Sequence, residues 1–262
     1  MLFEKPLVYL ILGAENSGRR EILLNLIEDS YGPDERPKVF ISESEKTGPF
    51  DGKLGIAVKW KWWDGNIIAP VPDETKIIFF ISDGRLNPVD QIEAFKVWLL
   101  AQSLELARIF TIVDSNLAEK NPGLLAWYDA CIHFSDVVFM NKREGVANKW
   151  MSDFLARYKD EAYPCLFELV RSARVKNSAL VLEPLALRIS QTFEAEDVWV
   201  VSGQTEDDEN DEEIKDGDEE EVEMVIAEDP YFTRLLGGRR VKEIPDIQKY
   251  LETPNESQGV KE

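Results

Sequence analysis

Leu7-Val8-Tyr9-Leu10-Ile11-Leu12-Gly13-Ala14-Glu15-Asn16-Ser17-Gly18-Arg19-Arg20-Glu21-Ile22-Leu23-Leu24-Asn25-Leu26-Ile27 is the stretch whose reading decides the fold. Its first six residues are wholly apolar, the mark of a strand buried on both faces. Beyond Arg19, the side chains of Ile22, Leu23, Leu26 and Ile27 fall on one helical face. The pattern predicts a strand, a glycine-bounded loop and a helix. Gly13 and Gly18 are spaced as in G-x-x-x-x-G-K-[ST], the loop whose backbone N–H groups cradle phosphates. Where that pattern has Lys and then Ser or Thr, this chain has Arg19 and Arg20.

The two substitutions differ in consequence. Arg19 keeps a positive charge beside the phosphates, although its planar fork is bulkier than an ammonium. Arg20 removes the hydroxyl that would ligate Mg²⁺ and puts a cation in the metal's neighbourhood. Glu15 adds a carboxylate that opposes phosphate unless it pairs with one of these arginines. On the loop alone, a ligand-free turn and a nucleotide site fit equally well.

A chain of 262 residues with 44% apolar content can bury a sizeable core in one large domain or two small ones. No apolar run approaches the ~20 residues of a membrane span. The N-terminal apolar run is accounted for as the first strand, so no signal peptide is read. Cys131 and Cys165 are expected to be free thiols in a reducing cytoplasm. Cys131 and His133 lie two apart on a predicted helix and point in different directions, so no metal site and no zinc are expected from them. The net charge is −20, and Glu206 to Asp229 holds fifteen acidic residues and one Lys, a net −14, which leaves −6 for the rest. Such a chain lacks the basic face that nucleic acid requires.

Further along, Lys38–Ile41 is a predicted strand, and Ser42 to Lys53 a polar loop placed where a switch region would fall. Ile56 to Trp63 alternates, with Ile56, Val58, Trp60 and Trp62 on one face, as a packing strand does. Lys76–Ile81 is another buried strand, ending at Ser82-Asp83-Gly84. Asn87 then Pro88 starts a helix whose apolar side is marked by Ile92, Phe95, Leu99 and Leu106. Arg108–Val113 and Asp136–Met140 are strands, ending at Asp114 and Asn141. Gly123–His133 and Val146–Tyr158 are helices. Tyr163–Val175 and Ala179–Phe193 are expected as further helices, and Asp197–Val201 as a last strand. Glu206 to Glu223 repeats like charges without aromatics and is expected to be disordered. Tyr231–Arg240 is expected to dock back on the body or to bind a partner.

Strands alternating with helices predict an α/β fold, a mostly parallel sheet with helices on both faces. Ligands of such sheets bind beyond the carboxyl ends of the strands. Gly13–Arg20, Ser82–Gly84 and Asn141–Glu144 converge there.

Four stretches together resemble the nucleotide-binding domain of the CobW/HypB/UreG P-loop GTPases, the CobW branch most closely. They are Gly13–Leu24; Ile81-Ser82-Asp83-Gly84-Arg85-Leu86-Asn87-Pro88; Asp114 at its strand end; and Ser135-Asp136-Val137-Val138-Phe139-Met140-Asn141-Lys142-Arg143-Glu144. The last is similar to the family's guanine-reading Asn-Lys-x-Asp motif. The resemblance covers about residues 6–160. It implies GTP as the nucleotide, with Gly13, Asn16, Ser17, Gly18, Arg19 and Arg20 around phosphate, Asp83 and Gly84 in the switch, and Asn141, Lys142 and Glu144 at the base.

The departures fall on chemistry. Ile81 stands in place of an acidic metal ligand, and Glu144 in place of the base-reading Asp. Asp64–Ala69 stands in place of a Cys-x-Cys-Cys motif. The chain is therefore expected to comprise a P-loop NTPase-like domain at 1–203, an acidic linker at 204–228 and a C-terminal segment at 229–262. The expected function is that of a cytoplasmic, degenerate GTPase that binds nucleotide weakly or not at all, without Mg²⁺, and acts through a protein partner rather than nucleic acid or membrane. The alternative is a working GTPase metallochaperone with Asp83 standing in as metal ligand. No catalytic residue is assigned.

Overall fold

A computed structural model describes residues 5–32, 35–55, 57–194 and 229–251. The apolar run closes at Gly13 as strand β1 (Leu7–Gly13), and helix α1 (Arg19–Ser30) follows the loop. The remaining strands are β2 (Lys38–Ser42), β3 (Ala57–Trp63), β4 (Asn66–Ile68), β5 (Ile77–Ile81), β6 (Glu105–Asp114), β7 (Val137–Asn141) and β8 (Leu166–Leu169). The helices after α1 are α2 (Pro88–Ala101), α3 (Ser115–Lys120), α4 (Leu125–His133), α5 (Asn148–Asp160) and α6 (Ser178–Leu182).

The strands form one sheet in the order β4-β3-β2-β5-β1-β6-β7-β8. Every pairing is parallel except that of β3 with β4, which is a hairpin at the edge. Because side chains alternate along a strand, the central strands feed two cores. Val8, Leu10 and Leu12 face one core with Trp60, Phe80, Phe95 and Trp127, under α2 and α4. Tyr9 and Ile11 face the other with Ile22, Leu23, Phe79 and Phe110, under α1. The expected fold class, a parallel sheet with helices on both faces, is thus the observed one.

Several elements differ from expectation. Helix α2 ends at Ala101, so Leu106 belongs to β6 rather than to that helix's apolar side. The stretch read as a helix over Tyr163–Val175 contains β8, parallel to β7. A four-residue run flanked by turns carries too little periodicity to separate strand from helix. The helix expected over Ala179–Phe193 shrinks to α6, after which the chain is irregular. Asp64 and Gly65, both at positive φ, make the tight β3–β4 turn. The strand expected at Asp197–Val201 and the acidic run Glu206–Glu223 lie outside the described residues.

The segment 229–251 lies against the body. Tyr231 is buried beside His133 and Phe134. Arg240 pairs with Asp90 and Glu93 on α2, and Nε2 of His133 stands 2.9 Å from Oδ2 of Asp229.

Candidate functional site

The loop after β1 turns through Asn16 (φ 64°) and Gly18 (φ 97°) into α1, whose first turn has no side-chain cap. The N–H groups of that first turn have no intrahelical acceptor. Gly18 is required twice over, by its positive φ and because an added methyl would stand 2.2 Å from the Asn141 amide nitrogen. That nitrogen donates to the Ser17 carbonyl at 2.8 Å, so Asn141, at the end of β7, braces the loop. Gly84 packs on the loop from the end of β5, and its carbonyl accepts from the Glu15 N–H at 3.1 Å. Ser17 Oγ is buried without a hydrogen-bond partner among the described residues.

Arg19 and Arg20 both reach the loop between β2 and β3. Arg19 donates to the Ser82 carbonyl and, through Nη2, to Oε1 of Glu45 at 2.6 Å. Arg20 Nη2 donates to Oε2 of the same carboxylate at 2.8 Å. Its Nη1 donates to Asp51, at 2.9 and 3.0 Å to the two oxygens, and to the Lys46 carbonyl. Glu45 Oε1 also accepts from the Gly84 N–H at 3.1 Å. The Glu45 side chain is 3% exposed and that of Arg19 4%. Burial alone would raise the Glu45 carboxyl. The charge of Arg19, the Gly84 N–H and the charge of Arg20 outweigh it and hold the group below the usual carboxylate range.

Glu15 is paired, but with Arg85 rather than with either loop arginine: Nε and Nη2 of Arg85 both lie 2.6 Å from its Oε2. Asp83 is buried, and its carboxylate is already engaged. One oxygen accepts from Ser44 Oγ and from Ser42 Oγ at 3.2 Å, the other from the Arg85 N–H at 2.9 Å. The implied Mg²⁺ therefore does not fit these residues. A guanidinium replaces the ligating hydroxyl, and the one nearby carboxylate proposed to replace the metal ligand is committed to hydroxyls and an N–H. Among the described residues no group of three His, Cys, Asp or Glu could hold a metal.

At the far end of the same sheet edge, Lys142 (φ 48°) pairs with Asp114 at 3.0 Å. Asn116 Nδ2 donates to the carbonyls of Lys142 and Glu144, at 2.6 and 3.1 Å, and fixes that turn. The Glu144 side chain is exposed. A cleft of about 480 Å³ opens at Gly18, Arg20, Lys46 and Lys142. A second, of about 490 Å³, shares Phe50 and Lys142 with it and continues past Asn141 and Glu144 to Ala173 and Arg174. The expected site residues are therefore brought to one edge: Asn16, Gly18, Arg19 and Arg20 line the first cleft, Asn141 and Glu144 the second and Lys142 both, while Gly13, Ser17, Asp83 and Gly84 are buried behind them. Glu45 and the turn after β8 also line these clefts, Asp51 is tied to them through Arg20, and none of these was anticipated. Two arginines in place of Lys and Ser or Thr demand nearby anions, and that charge balance was the available signal for Glu45.

The sheet order, with β1 between β5 and β6, and the glycine-flanked loop from β1 into α1 define a P-loop NTPase fold. No protein-family model matches the chain, and comparison with curated proteins finds no match. Among solved structures it is similar to the Zn(II)-bound YjiA GTPase from E. coli, at 14% identity and TM-score 0.44, over 69% of this chain and 61% of that one. It is also similar to FtsY from Thermotoga maritima, at 10% and 0.42, over 66% and 65%. A third is FtsY from Elizabethkingia anophelis in complex with GDP, at 11% and 0.41, over 68% and 65%. The chain thus spans less than two thirds of each neighbour's length, and at these identities no neighbour's ligand or chemistry is read onto it.

Proposed function

We propose that this chain is a GTPase-type P-loop protein of CobW-like ancestry that no longer hydrolyses nucleotide and works through contacts with another protein. The observation that carries the reading is the fate of Arg20. The residue in place of the metal-ligating hydroxyl is a cation tied to Glu45 and Asp51. Phosphoryl transfer relies on a metal that bridges β- and γ-oxygens and counters the charge developing between them. A fixed guanidinium can bind ground-state phosphate without following that charge, so binding can outlive turnover. If guanine nucleotide enters, Gly13, Asn16, Ser17, Gly18 and Arg19 would hold phosphate through N–H groups and charge, and Lys142 and Glu144 would face the base.

Support for a protein partner comes from the sheet edge. Trp63 and Ile68, on one face of the β3–β4 hairpin, are 61% and 51% exposed. Edge strands with exposed apolar side chains invite pairing with another chain. The competing reading, a working GTPase with Asp83 on the metal, requires Asp83 to leave Ser42, Ser44 and the Arg85 N–H. The test is titration with GTP, with and without Mg²⁺, of the wild type and of Arg19→Lys/Arg20→Thr. The wild type is expected to show weak binding or none, indifferent to Mg²⁺, and the double variant to gain Mg²⁺ dependence. Wild-type binding that requires Mg²⁺ would overturn the reading.

A further inference from the structure

We propose that the Glu45 carboxylate is an intramolecular substitute for the terminal phosphate of a nucleoside triphosphate, so that the adjoining cleft takes nucleoside diphosphates and rejects triphosphates. The inference rests on the functional reading above, that of a P-loop site without metal chemistry, and adds the ligand class.

The donors that meet Glu45 come from the first turn of α1 and from the loop after β5, and share one character. Arg19 stands at the lysine position of the phosphate loop and donates from 2.6 Å. The Gly84 N–H comes from the loop after β5 that packs on the glycine-bounded loop, at 3.1 Å. Arg20, at the metal-hydroxyl position, donates to the other oxygen from 2.8 Å. Two guanidinium groups and a backbone N–H converging on one point are the donor set of an anion, and here the anion belongs to the chain. A carboxylate offers two oxygens and one charge where a terminal phosphoryl group would offer three oxygens, so it satisfies the same donors with a smaller, trigonal group.

Its carboxylate already takes the donors that a second anion at this point would need. A triphosphate would have to displace Glu45 from both arginines or set its last phosphate against a buried carboxylate. Neither obstacle meets a shorter ligand. The cleft of about 480 Å³ lies next to Glu45, lined by Asn16, Gly18, Lys46, Arg85 and Lys142, and the uncapped first turn of α1 opens on it. Oriented N–H groups at a helix start favour phosphate there. The donors also explain why the loop from Glu43 to Leu54 is closed on the P-loop. Glu45 and Asp51 supply the contacts that a bound terminal phosphate would otherwise supply, and the closed arrangement then needs no nucleotide.

Calorimetric titration of GDP and GTP in EDTA, on the wild type, Glu45→Gln and Glu45→Ala, tests this. Wild type is expected to bind GDP at least about tenfold more tightly than GTP. In the variants the two affinities are expected to converge to within about threefold, through a gain for GTP. Glu45→Gln keeps the shape of the side chain and carries the test if Glu45→Ala does not fold, as judged by circular dichroism. Equal affinities in the wild type, an unchanged preference in the folded variants, or no binding of either nucleotide to any of the proteins would overturn the proposal. Because EDTA removes turnover from the experiment, GTP hydrolysis by the wild type with Mg²⁺ would refute the functional reading without altering this comparison.

Discussion

Glu45 holds the two arginines that replace the lysine and hydroxyl of a phosphate loop, and its protonation is the most direct lever on the site. Its folded-state pKa lies below the ordinary 4.5. A carboxyl of that kind contributes stability that is fully present above the unfolded value and is lost as pH falls through the folded one. Urea midpoints measured from about pH 6 down to about pH 3 should therefore fall more steeply for the wild type than for Glu45→Gln, with the difference confined to the region below the ordinary value. Parallel curves would mean that the Glu45 cluster adds nothing. Glu45→Ala, which leaves two guanidinium groups facing one another, should cost about 3–5 kcal/mol near neutral pH. At this scale the sequence disclosed the anomaly but not its resolution. Arg19 and Arg20 were visible as departures from the loop pattern. Which carboxylate meets them depends on how the loop after β2 folds back, and no local periodicity encodes that.

At the scale of elements, legibility followed the strength of the local signal. The strand β1 and helix α1 were plain because a six-residue apolar run and a helical face adjoin a glycine-bounded loop. Asn87 was plain as a cap, and its side chain indeed accepts from the Val89 N–H at 2.9 Å. Strand β8 was lost because its residues are only half-buried at the sheet edge and show no alternation of burial. The irregular chain after α6 was read as helix for want of any view of what holds it. Arg108 is that holder. It is fully buried in β6, and its guanidinium donates to the carbonyls of Leu180 and Val181 at 2.9 and 3.0 Å and of Leu185 at 2.9 Å. Arg108→Met should leave these acceptors without a donor, at a cost of about 3 kcal/mol in urea unfolding. Hydrogen exchange should show residues 178–187 loosened first. Retained protection there would show that packing, not the guanidinium, fixes the segment.

At the scale of the whole molecule, one sheet carries two cores, and a groove runs along the carboxyl ends of its strands. That much was legible, since strand–helix alternation fixes both the parallel sheet and the edge at which ligands gather. Both cysteines are sealed within this body. Burial pushes the Cys165 thiol up to about 12 and Cys131 well above the ordinary 9.0. A thiol-reactive dye should label neither in native protein at neutral pH and both on denaturation, because the thiolate is the reacting species. Rapid native labelling would contradict the packing of α4 and of the turn before β8.

The central claim, that the P-loop has lost metal-dependent turnover, is met most directly by measuring phosphate release from GTP by the wild-type protein, with Mg²⁺ and with EDTA. The account predicts no release above the protein-free background in either condition, because on this proposal Arg20 would keep the metal out and Glu45 would hold the donors that a terminal phosphate uses. Sustained phosphate release that requires Mg²⁺ and scales with protein concentration would contradict it.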